Sequence, residues 1–523
     1  MRIFLSGPMG AGKTTVAREL ASIVALRLVD LDESIEAHAR ASIADIVATR
    51  GEPELRRLER EQARRVAQDD DVVVALGGGT VADRDVRRWL LSRGTLVTLD
   101  APLEVLASRV GDGRGRPLLG DDPRRALESL CEQRSEAYAE CHARIENDGT
   151  TPRDVAVRVL EVALRAPIAV PLGLRSYVIE VGEGARRRAA KCAHDASADG
   201  LVVLVSDDGA SRWAEEVESS LSAARRRVTS VRLARGEEHK RLPAVERVWD
   251  AALAASADRD ALVLAVGGGV VGDVAGFAAS TLLRGVAFAQ LPTTLLAMVD
   301  SSIGGKTGIY HARGKNLVGT FHQPRFVLCD PDVLATLDPM ERRSGLAEVV
   351  KAAWIEGEHD VAALEADATA LVAGDVAATE RAVRRALATK ARIVCEDERE
   401  QGVRRQLNLG HTVAHALEAA AGYGNLRHGD AVALGLVAAS RVGRALGRAR
   451  AEDRARLEAL LGALGLPLDL DRRLSAELIA WISQDKKRAR GAVQFVVPGA
   501  PGRVDVVPVA VEQLVALVVQ GGS

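Results

Sequence analysis

The chain has 523 residues, 47% of them hydrophobic and 27% charged, with a formal net charge of −2 at pH 7. This length and apolar content exclude a disordered chain and predict a globular protein with more than one domain. The near-neutral charge argues against nucleic acid as a partner, and no apolar run of about 18 residues suggests a membrane span. The opening MRIFLSG lacks a basic region with a cleavage site, so we expect a cytoplasmic protein.

Cysteine and lysine usage narrows the kinds of site to expect. The five cysteines are scattered without a C-x-x-C pair, which argues against disulfides and a cysteine-based zinc site. Most basic residues are arginines, so a retained lysine suggests a position that needs a compact, flexible ammonium group. The lysines are Lys13, Lys191, Lys240, Lys306, Lys315, Lys351, Lys390, Lys486 and Lys487.

Two domains are predicted along the chain. Through about residue 165, strand-like segments such as RIFLSG, VVVALGGG and TLVTLD alternate with helix-like segments. This rhythm predicts a domain of residues 1–165 with a parallel sheet covered by helices on both faces. The proline-containing stretch APIAVPLG predicts a linker at 166–173. In the second predicted domain, 174–523, strands and helices alternate to residue 335, and long helical patterns dominate 336–523.

The first motif is GPMGAGKT, from Gly7 to Thr14, between a predicted strand and a predicted helix. This G-x-x-x-x-G-K-[ST] pattern directs backbone N–H groups at phosphate oxygens, while its lysine neutralises phosphates and its hydroxyl can bind Mg²⁺. We therefore predict ATP binding, with magnesium bound through Thr14. The predicted nucleotide contacts are Gly10, Ala11, Gly12, Lys13, Thr14 and Thr15.

Further motifs follow in the order VDLDESIE, GEPELRRLE, LGGGT, GRPLL and EQRSEAY. With them, the first domain resembles the shikimate kinases over essentially its whole length. The resemblance implies a P-loop fold and phosphate transfer from ATP to shikimate. Gluconate and adenylate kinases share the phosphate loop, but we would not expect them to combine all of these motifs.

The resemblance also implies roles for individual residues. Asp30 would lie near magnesium and the phosphates, and Asp32 would hold the acceptor hydroxyls and accept the attacking proton. Arg56 and Arg134 would bind the shikimate carboxylate, because a planar guanidinium matches a carboxylate bidentately.

Three more positions complete the implied kinase site. Gly78 would let the backbone approach the substrate closely. Lys13 and Arg116 would act in catalysis, with Arg116 in a mobile lid that reaches the nucleotide phosphates.

The densest motif of the second domain runs from LAVGGGVVGDVAGFAAS through LPTTLLAMVDSSIGGKTGI to GKNLVGTFHQP. A strand that ends in three glycines and leads to Gly272 and Asp273 is typical of a dinucleotide-binding turn, although it is not the G-x-G-x-x-G fingerprint. The nearby Arg284, Lys306 and Lys315 suggest a small, strongly anionic substrate.

A candidate metal site follows in AEVVK, LNLGHTVAHALE and RHGDAVALG. His411 and His415 are four residues apart and would share one helix face, and a carboxylate with imidazoles suits Zn²⁺. Taken alone, such a pair is equally well explained as helix-surface or core histidines.

Over residues 174–523 the chain resembles the 3-dehydroquinate synthases. The resemblance implies NAD⁺ and Zn²⁺ or Co²⁺ as cofactors, and a homodimer. The metal ligands would be Glu348, His411 and His428, with His415 a neighbouring active-site residue. The implied NAD contacts are Gly236, Glu237, Lys240, Gly269, Val270, Val271, Gly272, Asp273, Thr293, Thr294, Lys306, Lys315, Val333 and Thr336. The implied substrate contacts are Asp300, Lys306, Asn316, Lys351, Lys390, Arg404 and Asn408, with Arg284 from a second subunit. The residues implied to act in catalysis are Lys306, Lys351, Lys390, Arg404 and His415.

The implied reaction converts 3-deoxy-arabino-heptulosonate 7-phosphate to 3-dehydroquinate and phosphate, with NAD returned to its starting state. Another sugar-phosphate cyclase would share NAD, the metal and the D-S-S-x-G-G-K segment, so it remains the main alternative. A polyol dehydrogenase would have no use for so many phosphate-directed cations. A scaffold that only senses nucleotides would be expected to have lost residues such as Lys13, Asp32 and Glu348.

Three features leave details of this second site open. Met298 stands where the resemblance leads us to expect Gln, and Tyr310 stands where we expect Asn. Lys486 and Lys487 resemble a late D-K-K element near the substrate phosphate, without indicating which lysine would bind.

Overall fold

The computed structural model describes residues 1–112, 117–120, 122–422, 425–488 and 492–520. Its contacts divide the chain into two compact units, Met1–Ile179 and Glu180–Ser523. The division falls inside a strand, Tyr177–Val181, which pairs antiparallel with Ile168–Val170. Part of the segment for which we predicted a linker is therefore a short strand, in which Val170 is fully buried.

The first unit is built on one five-stranded sheet. Its strands are β1 (Arg2–Ser6), β2 (Arg27–Asp30), β3 (Val72–Ala75), β4 (Thr95–Asp100) and β5 (Ala143–Glu146). Its helices are α1 (Lys13–Val24), α2 (Leu31–Ala39), α3 (Ile43–Arg50), α4 (Glu52–Val66), α5 (Arg84–Arg93), α6 (Leu103–Val110), α7 (Pro123–Gln133), α8 (Ser135–Ala139) and α9 (Pro152–Arg165). The strand order is β2-β3-β1-β4-β5, and every pairing is parallel.

Alternate residues of each central strand enter cores on opposite faces of this sheet. Ile3 and Leu5 of β1 belong to one apolar cluster, together with residues of α1 and α9. Phe4 belongs to the other cluster, with residues of α2, α4 and α5. Because side chains alternate along a strand, a strand that is apolar at every position needs helices on both faces. The predicted parallel sheet with helices on both faces is confirmed.

The second sheet has seven strands: β6 (Ile168–Val170), β7 (Tyr177–Val181), β8 (Val202–Asp207), β9 (Val228–Leu233), β10 (Leu262–Gly267), β11 (Ala287–Pro292) and β14 (Phe326–Cys329). Between β11 and β14 the chain forms a separate hairpin of β12 (Lys306–His311) and β13 (Gly314–Phe321). The order is β6-β7-β14-β11-β10-β8-β9. The strands from β14 to β9 pair in parallel. The accompanying helices are α10 (Ala189–Ala196), α11 (Ser211–Ala223), α12 (Leu242–Ala254) and α13 (Gly269–Thr281).

The rest of the second unit is mainly helical. Its helices are α14 (Pro339–Glu356), α15 (Glu358–Ala373), α16 (Val376–Glu396), α17 (His411–Ala421), α18 (His428–Ala445), α19 (Ala451–Ala463), α20 (Ala476–Arg488) and α21 (Val511–Gln520). Helix α14 is buried on all sides from residue 344 to 355, including two charged residues, Glu348 and Lys351. This part also contains an antiparallel hairpin, β15 (Ala492–Pro498) and β16 (Val504–Ala510), which the Ala- and Leu-rich patterns did not indicate.

None of the helices described is both long enough and apolar enough to cross a membrane.

Candidate active sites

The phosphate loop of the first unit joins β1 to α1 and is shaped by glycines. Gly7, Gly10 and Gly12 have φ of 136°, 84° and 84°, which side-chain-bearing residues rarely adopt. A Cβ on Gly7 would lie 2.0 Å from the carbonyl oxygen of Leu99, and one on Gly12 would lie 2.5 Å from Nδ2 of Asn147. The loop is therefore fixed against β4 and the segment that follows β5.

The lysine and threonine that end the motif contact the loop and β2. Lys13 Nζ donates hydrogen bonds to the carbonyl oxygens of Gly7 (2.9 Å) and Pro8 (3.0 Å). The Thr14 hydroxyl donates to Oδ2 of Asp30 at 2.7 Å, so the hydroxyl and carboxylate predicted near magnesium are adjacent. A hydroxyl beside a carboxylate is a donor set that suits a hard cation such as Mg²⁺.

A cavity of about 730 Å³ opens beside this loop. Ala11 does not line it, because Ala11 is fully buried and its carbonyl oxygen accepts a hydrogen bond from Asn147 Nδ2 at 2.7 Å. Arg116 lies outside the described residues. The predicted residues that line the cavity are Gly10, Gly12, Lys13, Thr14, Thr15, Asp32, Arg56, Gly78 and Arg134.

Asp32 has the electrostatics of a proton acceptor that works near neutral pH. The pKa of its carboxyl is raised to about 6, first by burial and then by the neighbouring Asp30, while Lys13 opposes the shift. A carboxylate in such surroundings binds a proton more readily than an exposed aspartate, which suits general-base chemistry.

The two arginines predicted to bind a carboxylate line the same cavity. Arg56 contacts Glu52 Oε1 at 2.6 Å and Glu59 Oε2 at 2.5 Å. Arg134 Nη1 donates to the carbonyl oxygen of Gly78 at 3.0 Å, and Tyr138 donates to the same oxygen at 2.7 Å. Gly78 thus connects the glycine turn after β3 to Arg134, which lies between α7 and α8, and to Tyr138 of α8.

Sequence reasoning missed several residues of this cavity. Arg109, Asn147, Thr150 and Pro152 line it together with the phosphate loop. Asn147 follows β5 directly, and residues at the carboxyl ends of parallel strands are where ligands of such sheets bind. That position was a usable signal for Asn147, whereas the sequence near Arg109 gave none.

The second unit brings Glu348, His411 and His428 together. They lie on three helices, with the two histidines as the first residues of α17 and α18. One ligand atom from each lies within 4.8 Å of the others, and Glu348 Oε1 is 3.5 Å from His411 Nε2 and 3.7 Å from His428 Nε2. Glu348 Oε1 is buried without a hydrogen-bond partner in the part of the chain that the structure describes. A buried oxygen left unpaired between two imidazoles fits a divalent cation.

The charges around this cluster favour metal-binding protonation states at His411 and Glu348. At His428, burial lowers the pKa but Glu348 and Glu418 raise it more strongly, to about 10, so a bound cation would replace a proton on this imidazole. Burial, then Lys351, lowers the pKa of His411 to about 3, which keeps its imidazole neutral. Burial raises the pKa of Glu348, but Lys351, His411 and His428 together outweigh burial, and the pKa falls to about 2. His415 lies beside the cluster, with its ring centroid 5.4 Å from that of His411.

Glu418, which the sequence analysis missed, contacts both a metal-ligand candidate and an NAD candidate. Its Oε2 is 3.5 Å from Nδ1 of His428, and its Oε1 is 3.4 Å from Nζ of Lys315. Glu418 follows His411 and His415 at spacings of seven and three on α17, so the helical period places all three on one face. That periodicity was a usable signal.

Residues predicted to bind NAD meet around Lys240, together with Asn316, which was predicted to bind substrate. This buried lysine contacts Asp273 Oδ2 at 2.5 Å, near the start of α13, and Asn316 Oδ1 at 2.8 Å, on β13. Lys315 contacts Glu237 Oε2 at 2.6 Å, just after Gly236, whose φ is 119°. Their proximity depends on elements far apart in the sequence.

The remaining residues of the NAD prediction differ in what their side chains can reach. Val333 is fully buried, and Val271 is 1% exposed. The Thr336 hydroxyl accepts a hydrogen bond from Trp213 at 3.0 Å, and the Thr294 hydroxyl accepts one from the amide of Ala297 at 3.1 Å. The other residues of this prediction lie in three places: Gly269, Val270 and Gly272 in the first turn of α13, Thr293 directly after β11, and Lys306 at the start of β12.

The residues predicted to bind substrate are mostly held by carboxylates. Lys390 contacts Asp300, Lys351 contacts Glu348, and Lys306 contacts Glu400. Glu400, also missed by sequence reasoning, accepts a hydrogen bond from Asn408 at 2.5 Å.

Other predicted substrate residues stand apart from these pairs. Arg404 donates to the carbonyl oxygen of Gly304 at 3.1 Å. Arg284 is exposed, with φ of 70° after Leu283 at 49°. Met298 is fully buried. The side chains of Lys486 and Lys487 lie outside the described part of the chain.

Comparison with known proteins places both units in families. Family models match shikimate kinase at residues 9–164, the N-terminal part of 3-dehydroquinate synthase at 230–344 and its C-terminal part at 345–488. A 3-dehydroquinate synthase of Pelobacter propionicus is 43% identical over 351 residues, which are 67% of this chain and 98% of that protein.

Solved structures of related cyclases have the fold of the second unit. A 2-deoxy-scyllo-inosose synthase with carbaglucose-6-phosphate, NAD⁺ and Co²⁺ bound aligns with a TM-score of 0.62 at 25% identity, covering 68% of this chain and 100% of that one. A 2-epi-5-epi-valiolone synthase of Streptomyces hygroscopicus with NAD⁺ and Zn²⁺ bound aligns at 0.60 and 28% identity, covering 66% and 96%. The chain belongs to the 3-dehydroquinate synthase family and carries a shikimate kinase domain before its synthase part.

Proposed function

We propose that one chain catalyses two reactions of aromatic amino-acid biosynthesis. The first unit transfers phosphate from ATP to shikimate, and the second converts 3-deoxy-arabino-heptulosonate 7-phosphate to 3-dehydroquinate and phosphate. The observation that carries the synthase half is the buried cluster of Glu348, His411 and His428, whose unpaired oxygen matches a divalent cation. We keep the predicted domain limits, 1–165 and 174–523, as part of this proposal.

In the kinase unit, we assign nucleotide binding to the phosphate loop and acceptor binding to the opposite wall of the cavity. Lys13 neutralises phosphate charge, and Thr14 with Asp30 holds Mg²⁺. Asp32 accepts the proton of the attacking hydroxyl, for which its raised pKa is suited. Arg56 and Arg134 exchange their present carboxylate and carbonyl contacts for the shikimate carboxylate.

In the synthase unit, Glu348, His411 and His428 hold Zn²⁺ or Co²⁺, and Glu237, Lys240 and Lys315 hold NAD⁺. When bound, NAD⁺ supplies a hydride acceptor for a substrate hydroxyl and the metal polarises that oxygen, which acidifies the neighbouring C–H. The lysines beside the cluster, Lys351 and Lys390, are buried cations that bind the anionic substrate. Their pairing with Glu348 and Asp300 opposes the loss of charge that burial favours and orients them before substrate enters.

We also propose a homodimer in the cytoplasm. The hairpin strand β13 exposes three apolar side chains, Leu317 (52%), Val318 (40%) and Phe321 (44%), which a second copy could cover. Arg284 is exposed on a turn in which Leu283 and Arg284 both have positive φ. A second copy would then receive Arg284 as a substrate contact. Equilibrium sedimentation of the full-length protein, with Phe321→Asp as the disrupting variant, tests this proposal.

The decisive experiment measures phosphate release from heptulosonate 7-phosphate by the full-length protein with NAD⁺ and Zn²⁺, with product mass as a second readout. We expect dehydroquinate, loss of activity on chelation and recovery with added zinc. A different cyclic product would instead favour another sugar-phosphate cyclase, such as those whose structures resemble this unit. Phosphorylation of shikimate by the same preparation, with and without ATP, tests the kinase half.

A further inference from the structure

Tyr310 is a position where this sequence departs from the expected Asn, and the structure gives it a distinctive place. The β12–β13 pairing shifts register between Ile309 and His311, so Tyr310 stands at a bulge. Its amide donates instead to the carbonyl oxygen of Lys240 at 2.7 Å. Bulges redirect side chains and interrupt ladder pairing, which explains how Tyr310 leaves the hairpin and joins the 236–240 segment.

The Tyr310 side chain contacts three charged residues that were predicted to bind NAD. Its hydroxyl donates to Glu237 Oε2 at 2.9 Å. Its ring centroid lies 5.0 Å from Nζ of Lys240 and 5.3 Å from Nζ of Lys315, within range of cation–π attraction. Burial and the nearby Glu237 raise the pKa of the phenol, so it stays protonated and donates.

We infer that Tyr310 is a positioning residue that preorganises Glu237, Lys240 and Lys315 for NAD. The inference rests on the proposed assignment of those three residues. Lysine side chains lose considerable rotamer entropy when fixed, so a ring that already holds two of them reduces the ordering cost at binding.

The test compares Tyr310→Phe and Tyr310→Leu with wild type by calorimetric titration of NAD⁺ into zinc-loaded, full-length protein. Losing one hydrogen bond to a carboxylate should weaken NAD⁺ binding about 3- to 10-fold in Y310F. Y310L also loses the ring, so we expect about 10- to 50-fold. At saturating NAD⁺, kcat should stay within about twofold of wild type in Y310F, while KM for NAD⁺ rises. Tyr177→Phe in β7 is the matched control and should bind NAD⁺ as wild type does.

A double-mutant cycle shows whether Tyr310 acts through Glu237. In a Glu237→Gln background, Y310F should reduce the free energy of NAD⁺ binding by less than half as much as it does in wild type, because the hydrogen bond to residue 237 is already weakened. If the effects of the two substitutions on NAD⁺ binding are fully additive, Tyr310 does not act through Glu237.

The remaining outcomes separate the inference from the function on which it rests. Equal NAD⁺ affinity in wild type and Y310F overturns the inference alone. A rise only in KM for the sugar phosphate also overturns it, because Tyr310 would then serve the substrate. Wild-type protein that retains zinc but binds no NAD⁺ overturns the proposed function, and the inference falls with it.

Discussion

Glu418 offers a sharp test of how the metal site is supported. Its carboxylate contacts Nδ1 of His428, leaving Nε2 directed at Glu348. A carboxylate on the second nitrogen of a ligating imidazole fixes its tautomer and orientation, and losing such a partner typically costs about 10- to 100-fold in metal affinity. Glu418 is only 6% exposed at its side chain, so water cannot easily replace it.

We therefore expect Glu418→Gln to weaken Zn²⁺ binding about 10-fold, because the amide keeps an acceptor oxygen but loses the charge. Glu418→Ala should weaken it about 30- to 100-fold, since no acceptor remains. About 10-fold corresponds to 1.4 kcal/mol, in the range of one hydrogen bond to a charged group.

The assay is competition for Zn²⁺ with a chromophoric chelator, with the Co²⁺ absorption spectrum as a second readout of ligand geometry. Glu452→Gln is the matched control, because Glu452 is 78% exposed on another helix. Zinc affinity in E418Q within twofold of wild type, with an unchanged Co²⁺ spectrum, would refute the reasoning.

Three further predictions concern the kinase unit. The kcat/KM for shikimate should rise with pH through about 6, because only ionised Asp32 accepts a proton, and a pH-independent profile between 5 and 7 would contradict this role. Lys13→Met should abolish shikimate phosphorylation and leave phosphate release from heptulosonate 7-phosphate within about twofold of wild type. His411→Ala should abolish phosphate release and leave shikimate phosphorylation within about twofold. Loss of both activities in either variant would contradict independent sites. Burial lowers the pKa of His142 from 6.5 to about 4, so the imidazole stays neutral in the folded state. Because the unfolded chain binds this proton more readily, the free energy of unfolding is unaffected by His142 above pH 6.5. It falls by up to about 1.4 kcal/mol per pH unit between pH 6.5 and about 4. The urea midpoint for loss of kinase activity should therefore fall between pH 7 and 5, and it should fall less in His142→Asn.

Much of the fold followed from local sequence patterns. The alternation of apolar segments with helical ones was enough to predict the parallel sheet, because a sheet buried on both faces requires continuously apolar strands. The hairpin β15–β16 was missed because two short strands among long helical patterns carry little periodic signal. The short strand Ile168–Val170 was hidden by its flanking prolines.

The sequence by itself determined the chemistry available to each site. The first site has a phosphate loop, whose glycines can adopt positive φ angles, and a pair of aspartates after a strand. The second has a set of histidines and retained lysines. It also contained the helical spacing that joins Glu418 to His411, although single residues at that spacing are common on helices. Only the tertiary structure decided which groups face one another. Glu348, His411 and His428 come from three helices, and Tyr310 meets Glu237 across a bulge. Such contacts depend on packing between distant segments, which local propensity cannot specify.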